Sequence, residues 1–519
     1  MSATGQTGVA AVPARAAERT SARSGLPGWW PLAALTLLAA ALRLSTLDLQ
    51  SFWYDEAFTP VHVLHPSLWE TLRAVVHSEN SPPLWYVIAW ADARVLGTGE
   101  VALRLPSALA GIAVVPVAWA IGREIEGPPA RRAAIACALL TSVDPLFVWY
   151  SQEARAYGLF VLTGALALLC FLRAEREPTR SRMALFALCG ALALLSHYFA
   201  VFLLIPMALW LLWAPRTRRA ALPALGALAL VGLALLPLIS AQGGHGTQWI
   251  GRWPLIERLE AIPGYYLTGY TGAALGHGVE LLVALPILAG LALGLWRISE
   301  GSPESLRRLW LALSVAACGV LIPIVLVALG ADYLAPRNLV AAMLPVTAVI
   351  AVVTVWPARP GRGSALPGVL LTALIATALL AITIDVDFSP RLQRGNWRGL
   401  ARELAHPVGG AGERAITTVE LGTTPFEYYL PGLRGLHEGR EVLVREIDET
   451  GYAPLRSTAG LPPAPGFRLV EKLDVDGLIA YRFVSPVPEL VSESVLRRQA
   501  ITAEATPEVL VPQDARQTG

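Results

Sequence analysis

Charged residues are scarce in this chain. They make up 15% of its 519 positions, against 54% apolar, and the mean hydropathy is +0.52. A soluble protein of this length could not cover its surface with so little charge, so the composition is that of a polytopic membrane protein. Lysine is nearly absent: Lys472 stands alone, and arginine carries the positive charge. A formal net charge of +2 leaves no electrostatic footprint for nucleic acid. The four cysteines, Cys137, Cys170, Cys189 and Cys318, all lie in hydrophobic runs without a CxxC or CxxH pattern, and read as small packing residues. No P-loop run, no GxGxxG between strand and helix and no HExxH occurs. His62 and His65 have no carboxylate or cysteine partner at ligand spacing. Nucleotide chemistry and zinc hydrolysis therefore have no motif to rest on.

What the chain does have is long hydrophobic runs. Residues 1–28 are rich in Ala, Thr, Gly and Arg and read as a disordered cytoplasmic tail. The first apolar stretch, Trp29 to Leu47, follows Arg15, Arg19 and Arg23 and lacks a small-residue cleavage site, so an uncleaved first helix is expected. Further segments recur at 102–121, 133–149, 158–172, 183–196, 198–213, 220–240, 278–296, 309–330, 339–356 and 365–384, about eleven spans in all.

Arginine placement tests that count, because cytoplasmic loops carry the excess of basic residues. Clusters stand at Arg123/Arg131/Arg132, Arg173/Arg176/Arg180/Arg182, Arg216/Arg218/Arg219, Arg297/Arg307/Arg308 and Arg359/Arg362. If all face the cytoplasm, 183–213 must cross twice and turn at His197-Tyr198. The stretch Pro82–Leu96 must then lie on the outer face as an interfacial helix, which suits Trp85, Tyr86 and Trp90. The N-terminus is then inside, and everything after Ile384 is outside. Asp55, Glu56, Glu153, Arg155, His197, Arg252, Arg258 and Arg337 all fall in outer loops, although that was not imposed.

From about 385 to 485 the chain is more polar. Strand-like runs at Ala415–Val419, Glu441–Ile447, Phe467–Leu473 and Gly477–Val484, with helical patterns near Trp397–Leu404 and Phe426–Leu430, predict a small α/β domain outside the membrane. Asp474-Val475-Asp476-Gly477 reads as a hairpin turn. Residues 486–519 read as a disordered tail.

Four constellations carry chemistry. Trp53-Tyr54-Asp55-Glu56-Ala57-Phe58-Thr59 places two carboxylates between aromatics just past the first span. The bland reading is a solvated pair with Asp55 capping a helix; the chemical one is a base for an acceptor hydroxyl or amine. Trp149 to Tyr157 packs Gln152, Glu153 and Arg155 with hydroxyl side chains into a short loop, more like a polar pocket wall than a linker. Ser196-His197-Tyr198 sits at a turn, where a histidine is often only a helix-end partner. Asp332 to Asn338 places Arg337 at a helix boundary, where it could snorkel to lipid phosphates or grip a phosphate leaving group through its planar fork.

These motifs, with Ser81-Pro82-Pro83-Leu84-Trp85-Tyr86 and Leu103-Arg104-Leu105-Pro106-Ser107-Ala108-Leu109, run in order through residues 30–360. Together they resemble the GT-C fold glycosyltransferases of the protein-mannosyltransferase-like group (family 39-like), which includes the aminoarabinose transferases that modify lipid A. The resemblance implies an α-helical polytopic membrane protein, a GT-C-like domain over 29–384, and inverting transfer of a sugar from a polyprenyl-phosphate carrier to a protein, lipid or glycan at the outer face of the cell membrane. It assigns catalysis or acceptor positioning to Asp55, with Glu153 as second acid. Tyr54, Glu56, Arg155, His197, Tyr198 and Arg337 would bind substrate. No cofactor is expected, and a divalent cation is left open. Aminoarabinose transferases carry basic residues where this chain has Ser81 and Phe58, so the donor phosphate would be held by Arg155, His197 and Arg337. The rival class is a transporter or flippase of envelope precursors. It would need ionisable residues at mid-span and a repeat between halves; mid-span charge is almost absent and no repeat is evident.

Overall fold

A computed structural model describes residues 29–127, 131–245, 247–269, 275–357, 364–409, 413–498, 501–502, 507–515 and 517–518. The expected tail at 1–28 and the pair Arg359/Arg362 lie outside the described residues.

Helix α1 (Trp30–Leu44) opens into a long connection holding three short helices, α2 (Phe58–Val63), α3 (Leu68–Ser78) and α4 (Leu84–Leu96). Ser67 and Glu70 form a reciprocal capping box at the start of α3. Helix α4 starts directly behind Pro82-Pro83, as expected. The bundle continues with α5 (Glu100–Glu126), α6 (Arg132–Val143), α7 (Pro145–Ser151), α8 (Tyr157–Arg176), α9 (Arg180–Ser196), α10 (Ala200–Trp213) and α11 (Pro215–Gln242). A connection with two short helices that the sequence reading did not separate, α12 (Gln248–Arg252) and α13 (Leu255–Thr268), leads to α14 (His277–Arg297), α15 (Pro303–Ala328), α16 (Val340–Thr354) and α17 (Leu366–Phe388).

Each expected span has a helix, or a bent pair, at its place. Among the described residues seven helices are long and apolar enough to cross a membrane, or eight if the bent pair α6/α7 is one span. Helices α1, α9 and α10, at 15, 17 and 14 residues, are shorter than a full crossing.

The bend between α6 and α7 measures 57°. It follows from Asp144-Pro145: a residue before proline is pushed out of helical geometry, and Asp144 is extended, at φ −66° and ψ 123°. Its carboxylate accepts from the backbone N–H groups of Leu146 and Phe147, at 3.0 and 3.3 Å, and so caps α7. The bend also strands carbonyls at the end of α6. Arg43 of α1 donates to those of Ser142 (2.9 Å) and Thr141 (3.2 Å), and to Ser151 Oγ at 3.2 Å. Gly111 of α5 makes room, since a Cβ there would lie 1.9 Å from Ser151 Oγ. The result aims the loop after α7 inward.

Arginines of three clusters meet at Glu124 and Glu175. Glu124 accepts from Arg173 (3.1 Å) and Arg176 (2.8 Å), Arg308 donates to the Glu124 carbonyl, and Glu175 pairs with Arg216 and Arg307. Asp55, Arg155 and Arg337 meet at a different cluster, where the first connection, the α7–α8 loop and the turn before α16 come together.

After α17, helix α18 (Trp397–Leu404) and helix α19 (Thr423–Tyr429) pack beside a seven-stranded sheet. Its strands are β1 (Arg414–Thr418), β2 (Leu433–Gly435), β3 (Glu441–Tyr452), β4 (Arg468–Val475), β5 (Leu478–Ser492), β6 (Glu508–Pro512) and β7 (Gln517–Thr518). The path runs β2-β6-β1-β3-β5-β4, with β7 beside β3; β1 and β3 are parallel and the other pairs antiparallel. The β4–β5 hairpin turns on Asp476 and Gly477, both at positive φ, as a two-residue Asp-Gly turn favours.

The disordered tail expected at 486–519 needs correction. Strand β5 runs on to Ser492, a short helix spans Glu493–Arg498, and β6 sits inside the sheet between β1 and β2. Pro486 and Pro488 break the apparent pattern, yet they fall among β5 residues that are not paired with β3, where a ladder tolerates proline.

Candidate active site

The first connection is held from two sides. Trp53 packs into the core of the C-terminal domain with Trp397, Leu400 and Phe426, while its indole Nε1 donates to Glu153 at 2.7 Å. The Phe52 backbone N–H donates to the Tyr429 hydroxyl (2.8 Å), and Ser51 to the Gly395 carbonyl (3.0 Å). The polar domain thus fixes the position of Asp55.

Asp55 does not cap a helix. The N-cap position of α2 is Ala57, with no side-chain cap bond. Asp55 is buried, and its two oxygens face two different arginines: Oδ2 lies 3.3 Å from Arg337 Nη1 and Oδ1 3.7 Å from Arg155 Nη2. Burial pushes its carboxyl up, but Arg337, Arg155 and Arg394 together outweigh burial and hold it below the ordinary carboxylate range. It is an ionised group.

Glu153 is the opposite case. It is fully buried; Oε1 accepts from Trp53, and Oε2 has no hydrogen-bond partner among the described residues. Burial pushes it up to about 7, with Arg394 opposing and Asp55 and Glu56 adding their charge. Two acids with separated ionisation therefore stand in one site, a pattern that assigns one as a carboxylate and the other as a proton carrier.

His197 is neutral. Burial, then Arg155 and Arg337, bring its imidazole down to about 3. Its Nδ1 accepts from the Phe199 backbone N–H at 3.2 Å, so Nε2 bears the proton and is a donor. The ring stacks on Phe160, with centroids 4.7 Å apart and planes 10° apart.

Glu56, expected to bind substrate, is held by its surroundings. It is fully buried, takes both forks of Arg104 at 2.6 Å, and accepts from the Ala154 backbone N–H at 2.7 Å. Such a carboxylate braces the first connection against the Glu153 loop. Tyr198 donates to Gln242 (2.7 Å), which in turn donates to the Ser81 carbonyl (3.0 Å), so it ties α11 to the Pro-Pro segment. Tyr54 lies against Trp53, ring centroids 4.6 Å apart.

Several participants were given no role by the sequence reading. Glu79 takes a bidentate pair from Arg155 (2.8 and 3.0 Å) and a bond from Tyr86 (2.7 Å), and so orients Arg155 toward Asp55. Arg394 stands over the Trp149 ring at 3.9 Å and donates to the Trp149 carbonyl and to Gln50; its Nε is buried without a partner among the described residues. Arg258 clamps Asp332 (2.6 and 2.7 Å) and the Leu334 carbonyl, fixing the loop that carries Arg337. Trp249 of α12 lies 4.8 Å from the Arg337 guanidinium. Only Glu79's place two residues before Ser81 was a local signal. His62 makes its hydrogen bonds locally, to the Phe58 carbonyl and Ser78. Among the described residues no three His, Cys, Asp or Glu side chains form a group that could hold a metal ion.

Residues 80–240 match the family described as dolichyl-phosphate-mannose-protein mannosyltransferase, over the stretch that carries the Pro-Pro, Leu103–Leu109, Glu153 and His197 motifs. Among solved structures, ArnT from Cupriavidus metallidurans in the apo state is 11% identical, with a TM-score of 0.53, over 87% of this chain and 97% of that one. The same protein bound to undecaprenyl phosphate is 10% identical, with a TM-score of 0.52, over 88% and 98%. No curated protein sequence matches the chain. The likeness to ArnT is one of fold, and it agrees with the GT-C-like class expected from the sequence.

Proposed function

We propose that this chain is a membrane glycosyltransferase that takes a sugar from a polyprenyl-phosphate donor and transfers it to a protein, lipid or glycan acceptor. The reaction takes place at the outer face of the cell membrane, with the N-terminus cytoplasmic and the C-terminal domain outside. The observation that carries this reading is Asp55, an ionised, buried carboxylate lying between Arg155 and Arg337.

The charge balance favours an anionic ligand. Glu56, Glu79 and Asp55 face Arg104, Arg155, Arg337 and Arg394, and Glu153 stands near neutrality. With Glu153 protonated, these arginines outnumber the ionised acids by one in a desolvated site, where such charges act strongly. A monophosphate diester brings one negative charge. Its oxygens compete with Asp55 for the Arg337 and Arg155 guanidinium groups, and the neutral His197 Nε2–H adds a hydrogen bond. As the phosphate takes over the arginines, Asp55 loses part of what depresses its basicity. Asp55 then accepts the proton of the acceptor nucleophile while that nucleophile attacks the anomeric carbon from the face opposite the phosphate. The C–O bond to phosphate breaks with inversion. The leaving phosphate, ionised at neutral pH, needs cations rather than a general acid. Glu153, held by Trp53, keeps a proton-carrying group beside Asp55. No resident cofactor is part of this proposal.

The test is a mass-spectrometric comparison of cell-envelope glycans from cells with the chain, without it, and with its Asp55→Asn form. The proposal expects one sugar modification present only with the unaltered chain. Identical glycans in all three would remove its support.

A further inference from the structure

A polar cavity of about 440 Å³ lies where the C-terminal domain meets the membrane bundle. It is lined by Glu100 at the start of α5, Arg398, Arg402 and Ala405 of α18 and its end, and Tyr428 and Tyr429 of α19. None of these belongs to the constellation around Asp55. Arg398 and Arg402 are one helical turn apart and share a face of α18. Glu100 is neutralised by Arg398 (3.1 Å) and accepts from the Tyr429 hydroxyl (2.7 Å). Arg402 is exposed and has no ion pair among the described residues, so the cavity carries one unbalanced positive charge.

The rim is apolar. Arg398 also donates to the carbonyls of Asp48 and Leu49, and Tyr428 to that of Thr98, which places the cavity beside the end of α1 and the α4–α5 connection. There Leu44, Leu49, Val95, Leu96 and Val101 are all exposed, Val95 at 80%. Exposed apolar side chains at helix ends, next to an unpaired guanidinium and two tyrosines, match the boundary between acyl chains and headgroups.

We infer that this cavity holds the phosphoryl headgroup of an anionic membrane phospholipid, with its acyl chains across Leu49, Leu96 and Val101. The guanidinium of Arg402 supplies the charge-assisted hydrogen bonds to the phosphate. The lipid anchors the C-terminal domain at the membrane surface. Because Tyr429 also accepts from the Phe52 backbone, an occupied cavity steadies the connection that carries Asp55. This inference needs only the membrane-embedded fold and stands apart from the transfer reaction.

The full chain is reconstituted in vesicles of phosphatidylcholine alone or of equimolar phosphatidylcholine and phosphatidylglycerol, extracted gently, and its retained lipids are counted by native mass spectrometry. The unaltered chain retains phosphatidylglycerol in preference to phosphatidylcholine. Arg402→Glu, which reverses the free charge, and Ala405→Trp, which fills the cavity, each lower that retention about tenfold, the scale for losing one charged hydrogen bond. Arg468→Glu, on the exposed edge strand β4, leaves it unchanged. Both positions 402 and 405 are exposed, so folding is expected to survive, and unfolding midpoints identify a variant to set aside in favour of the other. Unaltered retention in the cavity variants, or an equal loss in Arg468→Glu, overturns the site. Displacement of the lipid by inorganic phosphate overturns the lipid assignment.

Discussion

Two clusters of the bundle use the same residue types to different ends. Where arginines of three clusters come together, Glu124 is met by Arg173 and Arg176, whose side chains are 43% and 32% exposed. Those cations are solvated, and they pair with an acid that needs nothing else. In the Asp55 cluster the side chains of Arg155 and Arg337 are 13% and 20% exposed, and the distances to Asp55 are 3.7 and 3.3 Å rather than 2.8 and 3.1 Å. The difference teaches that a carboxylate among arginines is not by itself a site. The chemical cluster is the one where the cations are buried and their pairing with the central carboxylate, Asp55, is loose.

The sharpest way to break this comparison is Asp55→Asn, which keeps size and polarity but removes the proton acceptor. Turnover is expected to fall by about two to four orders of magnitude. Donor affinity should survive, because the variant no longer competes with phosphate for Arg337. Near-normal turnover would make Asp55 no different in kind from Glu124.

A smaller effect compares Glu56 with Glu124 directly. Glu56→Gln strips a fully buried arginine of its partner and is expected to cost about 3–5 kcal/mol of stability. Glu124→Gln, facing partly solvated arginines, should cost about 0–1 kcal/mol. Denaturation of the two variants in one detergent checks the pair, and equal losses would erase the distinction between the two clusters.

Smaller again is the effect of Glu153→Gln, read against pH. Burial raises the Glu153 carboxyl to about 7, so between pH 4.5 and 7 the folded state binds more protons than the unfolded chain, and stability falls as pH rises. The glutamine variant should match the parent at about pH 5 and exceed it by on the order of 2–3 kcal/mol near pH 8. Unfolding midpoints at the two pH values measure this. A constant difference across pH would mean Glu153 is ionised like its neighbours.

Much of this was legible in the residues. Each hydrophobic run became a helix because apolar length is a local property, and arginines of three clusters (Arg173 and Arg176, Arg216, Arg307 and Arg308) do meet around Glu124 and Glu175. Asp55, Glu153, Arg155, His197 and Arg337 lie in connections between helices, as read. What stayed hidden depends on closure in three dimensions. Arg394 meets Gln50 across 344 positions, and nothing near residue 394 announces it. Glu56 read as a substrate binder and Glu153 as the second acid; that Arg104 occupies Glu56, while Oε2 of Glu153 has no partner among the described residues, depends on contacts far apart in sequence. The strand at Glu508–Pro512 is short, and its pairing with β1 and β2 cannot be inferred from its own pattern.

The central claim is that the buried arginines of this site receive a lipid-linked phosphate. It is tested most directly by giving the purified chain a radiolabelled polyprenyl-monophosphate sugar or a nucleotide sugar, and following label into extracted envelope acceptors. The account predicts transfer from the polyprenyl-phosphate donor alone. It also predicts a donor affinity about ten- to a hundredfold weaker in Arg337→Ala, the scale for losing a charged hydrogen bond of about 1.5–3 kcal/mol. Transfer from the nucleotide sugar with no lipid carrier present, or a donor affinity untouched by Arg337→Ala, would contradict it.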